Sequence, residues 1–129
     1  MIFKIPFFDF RIKHIMKKNS VLIIDDEVDL CILLANFFKR KSDKVSYSVN
    51  LKDGFSKFKT EKPDILILDH NLPDGHGIDN IKNFKIENKA LYVIVISAMS
   101  NLKSRALENG ADYFMEKPIS FTKLNELIA

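Results

Sequence analysis

The side chains with chemistry to offer fall at the ends of short apolar runs. Val21-Leu22-Ile23-Ile24 passes directly into Asp25-Asp26-Glu27, and Ile65-Leu66-Ile67-Leu68 passes into Asp69. A third run, Leu91 to Ile96, ends in Ser97, and the short Tyr113-Phe114-Met115 leads through Glu116 to Lys117-Pro118. If these ends converge, three or four carboxylates meet one hydroxyl and one ammonium. Carboxylates ~4 Å apart repel pairwise by about 4 kcal/mol at an effective dielectric near 20, so such a cluster calls for a cation. Mg²⁺ suits it, because this ion takes oxygen ligands in an octahedron, keeps several waters and binds through one or two carboxylates plus phosphate oxygens. Lys117 then offers a point charge to a phosphoryl oxygen, and Ser97 a hydroxyl donor. Taken singly, each residue has a plainer reading. The acids are turn formers or helix caps, Ser97 is a satisfied loop hydroxyl and Lys117 a solvated surface charge. Their joint placement, each at the end of a different run, favours the functional reading.

Convergence of those ends requires a particular fold. The runs Val21–Ile24, Ile65–Leu68 and Leu91–Ile96 are continuously apolar, as parallel strands covered on both faces are. Val45, Tyr47 and Val49 alternate with Ser46 and Ser48, which suits a more exposed strand, and Tyr113–Met115 is a short fifth. Helices are expected over 28–40, 51–59, 78–86, 101–109 and 121–128, the first with Leu30, Leu33, Leu34, Phe37 and Phe38 on one side. Asn50 and Ser120 are expected as N-caps, and Gly110 as the left-handed residue closing the fourth helix. Strict alternation of strand and helix specifies an α/β fold whose right-handed crossovers place helices on both faces of a parallel sheet. Ligands of such sheets lie outside the carboxyl ends of the strands, where strand order reverses. The acids fall there.

At 129 residues the chain is expected to be one module without an attached effector. Its net charge of +3 is uneven. Residues 1–18 hold Lys4, Arg11, Lys13, Lys17 and Lys18 against Asp9, and the remainder has 15 basic and 16 acidic groups, a balance of −1. No basic stripe interleaved with aromatics runs through the remainder, so direct nucleic acid binding by this chain is not expected. Cys31, the single cysteine, reads as a buried core thiol in a reducing, cytoplasmic setting. No run approaches the ~18 apolar residues of a membrane helix, and residues 1–15 do not resemble a signal peptide, since charges and Pro6 interrupt the apolar stretch and no small-residue cleavage site follows.

Four segments together carry a specific resemblance: V-L-I-I-D-D-E, P-D-I-L-I-L-D-H-N-L-P-D-G-H-G, V-I-V-I-S-A-M and G-A-D-Y-F-M-E-K-P. They resemble the receiver domains of bacterial response regulators in two-component signalling, over residues 20–128. The resemblance implies a doubly wound, flavodoxin-like five-stranded parallel sheet of order 2-1-3-4-5. It implies that Asp69 is the phosphoacceptor, that Asp26 and Asp69 bind Mg²⁺ directly with the backbone carbonyl of Asn71, and that Asp25 acts mainly through water. Ser97 matches the family's switch Thr or Ser, and Lys117 its lysine, followed by Pro118 across a bond that is typically cis in the family. Pro73 and Gly77 match the loop after the acceptor. Phe114 stands where many receivers carry a switch Tyr, and cannot hydrogen-bond as that hydroxyl does; Tyr113 is not its equivalent. The implied partners are a sensor histidine kinase or a histidine phosphotransfer protein, and downstream a protein target or an output domain absent from this chain. The chain would be a signalling switch that takes part in its own phosphorylation and dephosphorylation rather than a conventional enzyme.

Other readings stay open at this level. An aspartyl-phosphate phosphatase also needs strand-end carboxylates, although its usual Asp-x-Asp differs from the adjacent Asp25-Asp26. A pseudo-receiver, acting only as an interaction module, would ordinarily lack one of Asp69, Asp26 or Lys117. A flavin-binding relative would carry a Ser/Thr/Gly-rich phosphate loop after the first strand. His70 and His76 suggest a transition-metal pair, but zinc sites usually need three or four such ligands. The domain is expected over 19–129, preceded by a basic, aromatic extension over 1–18. That extension reads first as an early start, since Met16-Lys17-Lys18-Asn19-Ser20 is a natural beginning. A loose tail comes next, and last a membrane- or partner-binding arm, whose amphipathic pattern Pro6 spoils.

Overall fold

A computed structural model describes residues 20–42 and 44–128, so the readings of the extension over 1–18 and of the domain's first residue lie outside the described residues. The strands are β1 (Ser20–Ile24), β2 (Lys44–Ser48), β3 (Ile65–Asp69), β4 (Tyr92–Ser97) and β5 (Tyr113–Glu116). They alternate with helices α1 (Val28–Lys39), α2 (Leu51–Glu61), α3 (Gly77–Glu87), α4 (Lys103–Glu108) and α5 (Phe121–Ile128). All five strands are parallel, in the order β2-β1-β3-β4-β5. This is the doubly wound α/β sheet of order 2-1-3-4-5 expected from the sequence.

The continuous apolar runs are explained by where their alternate side chains go. Val21, Ile23, Ile65, Ile67, Tyr92, Ile94 and Ile96 pack with Cys31, Leu34 and Phe38 of α1 and Leu124 and Leu127 of α5. Leu22, Ile24, Leu66, Leu68, Val93 and Val95 pack with Phe58 of α2, Ile78, Ile81 and Phe84 of α3 and Ala106 of α4. Successive strand residues point to opposite faces, so a strand sandwiched between two helical layers is apolar at every position.

Local signals act as expected at several ends. The Asn50 side chain accepts the Asp53 N–H at 2.8 Å, and Ser120 Oγ accepts the Lys123 N–H at 3.1 Å, each satisfying a helix N-terminal donor. Gly110 has φ +109, a left-handed conformation that glycine adopts without the steric cost a Cβ brings. Three details differ from expectation. Leu33 of α1 is 55% exposed, because the buried stripe runs through Cys31, Leu34, Ala35 and Phe38 and leaves Leu33 off it. The fourth helix begins as a 3₁₀ turn, Ser100–Leu102, before α4 proper. And α2 runs on to Glu61, ending at Lys62 in a left-handed conformation just ahead of Pro63.

Candidate functional site

Sheet register brings the chemical residues together. Ile24 pairs with Leu68 and Asp69 with Ile96, so Asp25, Asp69 and Ser97 leave three neighbouring strands at the same level. On β5, Glu116 pairs with Ser97, and the Lys117 N–H donates to the Ser97 carbonyl at 2.8 Å, which brings the Lys117 side chain to the same end. The Lys117–Pro118 peptide is cis. Carboxylate oxygens of Asp25, Asp26 and Asp69 lie within 4.8 Å of one another. Beyond them opens a cleft of about 990 Å³, lined by Asp26, Asp69, Asn71 and Lys117 with Val28, Leu33, Ile119 and Phe121.

Asp25 is fully buried. One of its oxygens accepts the Glu27 N–H at 2.8 Å, a local bond that turns the chain into α1 and leaves Asp26 exposed at the cleft. The Cys31 thiol donates to the Asp25 carbonyl at 3.1 Å, and burial pushes this thiol up to about 12, so it is an inert core group under the site. Lys117 Nζ stands 2.6 Å from Glu27 Oε1, 2.9 Å from Asp25 Oδ2 and 3.4 Å from Asp69 Oδ1. Its plain reading as a solvated surface charge is therefore wrong.

The electrostatics follow from burial and crowding. Asp69 is pushed up to about 6, first by burial and then by the Asp25 charge, with Lys117 opposing. Burial likewise raises Asp25, against its bonds to the Glu27 N–H and to Lys117. Burial by itself would lower Lys117, but its bonds to Glu27 and Asp25 and the Asp69 charge hold it above the usual lysine value. Three converging carboxylates facing one ammonium leave excess negative charge, which adds to the larger effect of burial in raising Asp69. An all-oxygen donor set, open to water on the Asp26 side, fits a hard divalent cation rather than a soft one.

The two residues expected to form a switch, Ser97 and Phe114, lie on one face. Ser97 is buried, and its Oγ accepts the Met99 N–H at 3.0 Å. Phe114, half-buried, packs with the cluster beneath α2, α3 and α4, to which Val93 and Val95 belong. Period-2 alternation puts Ser97 on the Val95 face, and Phe114 pairs with Val95 in register, so Ser97 and Phe114 share that face. Tyr113 packs on the other. The histidines do not form a chelate. His70 and His76 stack at 4.8 Å between centroids and 13° between planes, and lone pairs lying in nearly parallel ring planes do not converge on one ion.

Three features were not legible as such in the sequence. Glu27 was visible as an acid beside Asp25-Asp26, but its bond to Lys117 crosses 90 residues of chain. Asp74 accepts the Leu51 and Lys52 N–H groups at 2.8 and 2.9 Å, tying the loop after Asp69 to the start of α2 and holding its own carboxyl below the usual range. That loop also closes on itself, Asn71–Leu72 pairing antiparallel with Gly75–His76. Gly77 follows at the head of α3, where its N–H donates to the His70 carbonyl at 2.7 Å and a Cβ would run into the Asp69 carbonyl oxygen.

Residues 21–129 match the family described as the response regulator receiver domain. The KDP operon transcriptional regulatory protein KdpE of Escherichia coli (strain K12) is 36% identical over 108 residues, covering 82% of this chain and 48% of that protein. Sporulation initiation phosphotransferase F of Bacillus subtilis (strain 168) is 25% identical over 115 residues, covering 88% of this chain and 93% of that protein. The chain thus spans about half the length of the first relative and nearly all of the second. A response regulator protein of Burkholderia pseudomallei, solved with a phosphorylated aspartic acid, calcium ion and citrate, superposes with a TM-score of 0.78 at 19% identity, covering 87% of this chain and 67% of that one.

Proposed function

The chain belongs to the response regulator receiver family, whose members are phosphoacceptor modules of two-component signalling, and from that premise we propose that Asp69 is its phosphoacceptor and Mg²⁺ its metal. The observation that carries this reading is the meeting of the Asp25, Asp26 and Asp69 carboxylates within 4.8 Å, with Lys117 Nζ 3.4 Å from Asp69 Oδ1, at the floor of an open cleft. Asp26, Asp69 and the Asn71 carbonyl would hold the ion, Asp25 acting mainly through water; when bound, Mg²⁺ neutralises charge on the phosphoryl group.

The chain's own groups have separate tasks. An Asp69 oxygen attacks the phosphorus of a phosphohistidine in line, forming an O–P bond as the N–P bond breaks and leaving the imidazole to its own protein. Lys117 holds a phosphoryl oxygen as a fixed positive charge. Ser97 then donates its hydroxyl to another phosphoryl oxygen, and Phe114, on the same face, turns into the space it vacates. A sensor kinase or histidine phosphotransfer protein reaches Asp69 through the cleft. Val28 and Leu33, 45% and 55% exposed on α1, give that partner an apolar landing beside the acids. Among the described residues no helix is long and apolar enough to cross a membrane.

The test is incubation with acetyl phosphate and Mg²⁺, read by intact mass. Wild type gains one phosphoryl group, lost when Mg²⁺ is chelated beforehand and labile at alkaline pH, as an acyl phosphate is. A group that persists without the metal or survives alkali would overturn the assignment.

A further inference from the structure

We propose that Glu27 is a positioning residue: it holds Lys117 in the unphosphorylated protein and must release it when a phosphoryl group arrives on Asp69. This rests on Asp69 being the phosphoacceptor. A lysine ammonium has three donors and no acceptor. Lys117 Nζ faces three carboxylates, and the Glu27 contact is the shortest, at 2.6 Å against 2.9 Å to Asp25 and 3.4 Å to Asp69. A phosphoryl group brings further oxygens to the Asp69 side, and drawing the ammonium toward them lengthens one of its two shorter contacts.

Burial decides which one. The Asp25 side chain is fully buried, and drawing its counter-ion away costs far more there than at the surface. The Glu27 side chain is 61% exposed, so its carboxylate returns to solvent at little cost. Glu27 is also the N-cap residue of α1 yet makes no side-chain capping bond, which leaves its carboxylate committed to Lys117 rather than to the helix. Glu27 thus competes with the phosphoryl group for the site's lysine and tunes how readily the site fills.

The test compares affinities for beryllofluoride, a phosphoryl stand-in, at saturating Mg²⁺ in wild type, Glu27→Gln, Lys117→Gln and the double variant. Glu27→Gln is expected to tighten binding about two- to fivefold, which at about 1.4 kcal/mol per tenfold is about 0.4–1 kcal/mol, the range of an exposed ion pair. In the Lys117→Gln background the same change is expected to do nothing. No tightening in the first case, or equal tightening in both, would overturn the proposal. A second readout needs neither ligand nor metal: exchange of the Lys117 ammonium protons with water, followed by NMR, is expected to quicken in Glu27→Gln, and an unchanged rate would refute the hold. Asp69→Asn keeps the two readings apart, because wild-type beryllofluoride affinity in that variant would overturn the phosphoacceptor assignment itself.

Discussion

Gly77→Ala should damage both stability and the site, and the structure says why. Gly77 opens α3 immediately behind Asp69. A Cβ there would collide with the Asp69 carbonyl oxygen and lie 3.0 Å from both the Asp69 carbonyl carbon and Leu68 Cγ. Two of those three atoms are backbone of β3, bound into the centre of the sheet between β1 and β4, so relief must come from moving Asp69 or the head of α3. Overpacking of this kind costs about 1–3 kcal/mol, which for a domain of this size lowers Tm by very roughly 3–12 °C. Gly54→Ala is the control. The three atoms nearest its Cβ all belong to the Ile24 side chain, with Cδ1 in collision, Cγ1 at 2.9 Å and Cγ2 at 3.4 Å, so relief comes from a side chain rather than from the backbone of β3, and alanine regains about 0.5–1 kcal/mol of helix propensity within α2. Gly77→Ala should therefore melt lower and accept phosphate from acetyl phosphate more slowly, whereas Gly54→Ala should keep a near-wild-type phosphorylation rate. Wild-type melting and phosphorylation in Gly77→Ala would refute the steric reasoning.

Three further outcomes are expected. Asp26→Ala should weaken Mg²⁺ binding at least ~tenfold, about 1.4 kcal/mol, and Ser97→Ala far less, because only the first removes an anion from the metal; equal affinities by titration would contradict these roles. Asp69 has a folded-state pKa raised above its unfolded value, so the native state binds the extra proton and metal-free stability falls as pH rises from about 4 through about 6; Asp69→Asn should flatten that part of the stability profile, measured by denaturant unfolding with chelator present. Ser97→Ala should still accept phosphate but lose most of the chemical-shift response around Phe114, since a hydrogen bond to a charged group is worth about 1.5–3 kcal/mol and biases two states roughly 10–150-fold; a full wild-type response would mean the signal travels another way.

What the sequence made legible was whatever local pattern controls. Apolar runs ending in Asp25, Asp69 and Ser97 marked both the strands and the site, because a parallel sheet delivers the ends of its central strands to one place. Asn50, Ser120 and Gly110 declared helix ends through their own backbone chemistry. Leu33 was misjudged because α1 is apolar over more of its surface than the sheet can cover, and the surplus borders the cleft. The Lys117–Glu27 and Asp74–α2 bonds depend on side-chain directions at turns 90 and about 22 residues away in sequence, which no local pattern encodes.

The central claim, that Asp69 carries the phosphoryl group, is tested most directly by locating it. Borohydride reduces an aspartyl phosphate to homoserine, so wild type treated with acetyl phosphate and Mg²⁺, then reduced and digested, can be mapped by tandem mass spectrometry. The expected result is homoserine in place of Asp69 alone, with Asp25 and Asp26 intact. Homoserine at Asp25 or Asp26, or reduction nowhere in a protein that has gained the phosphoryl mass, would contradict it.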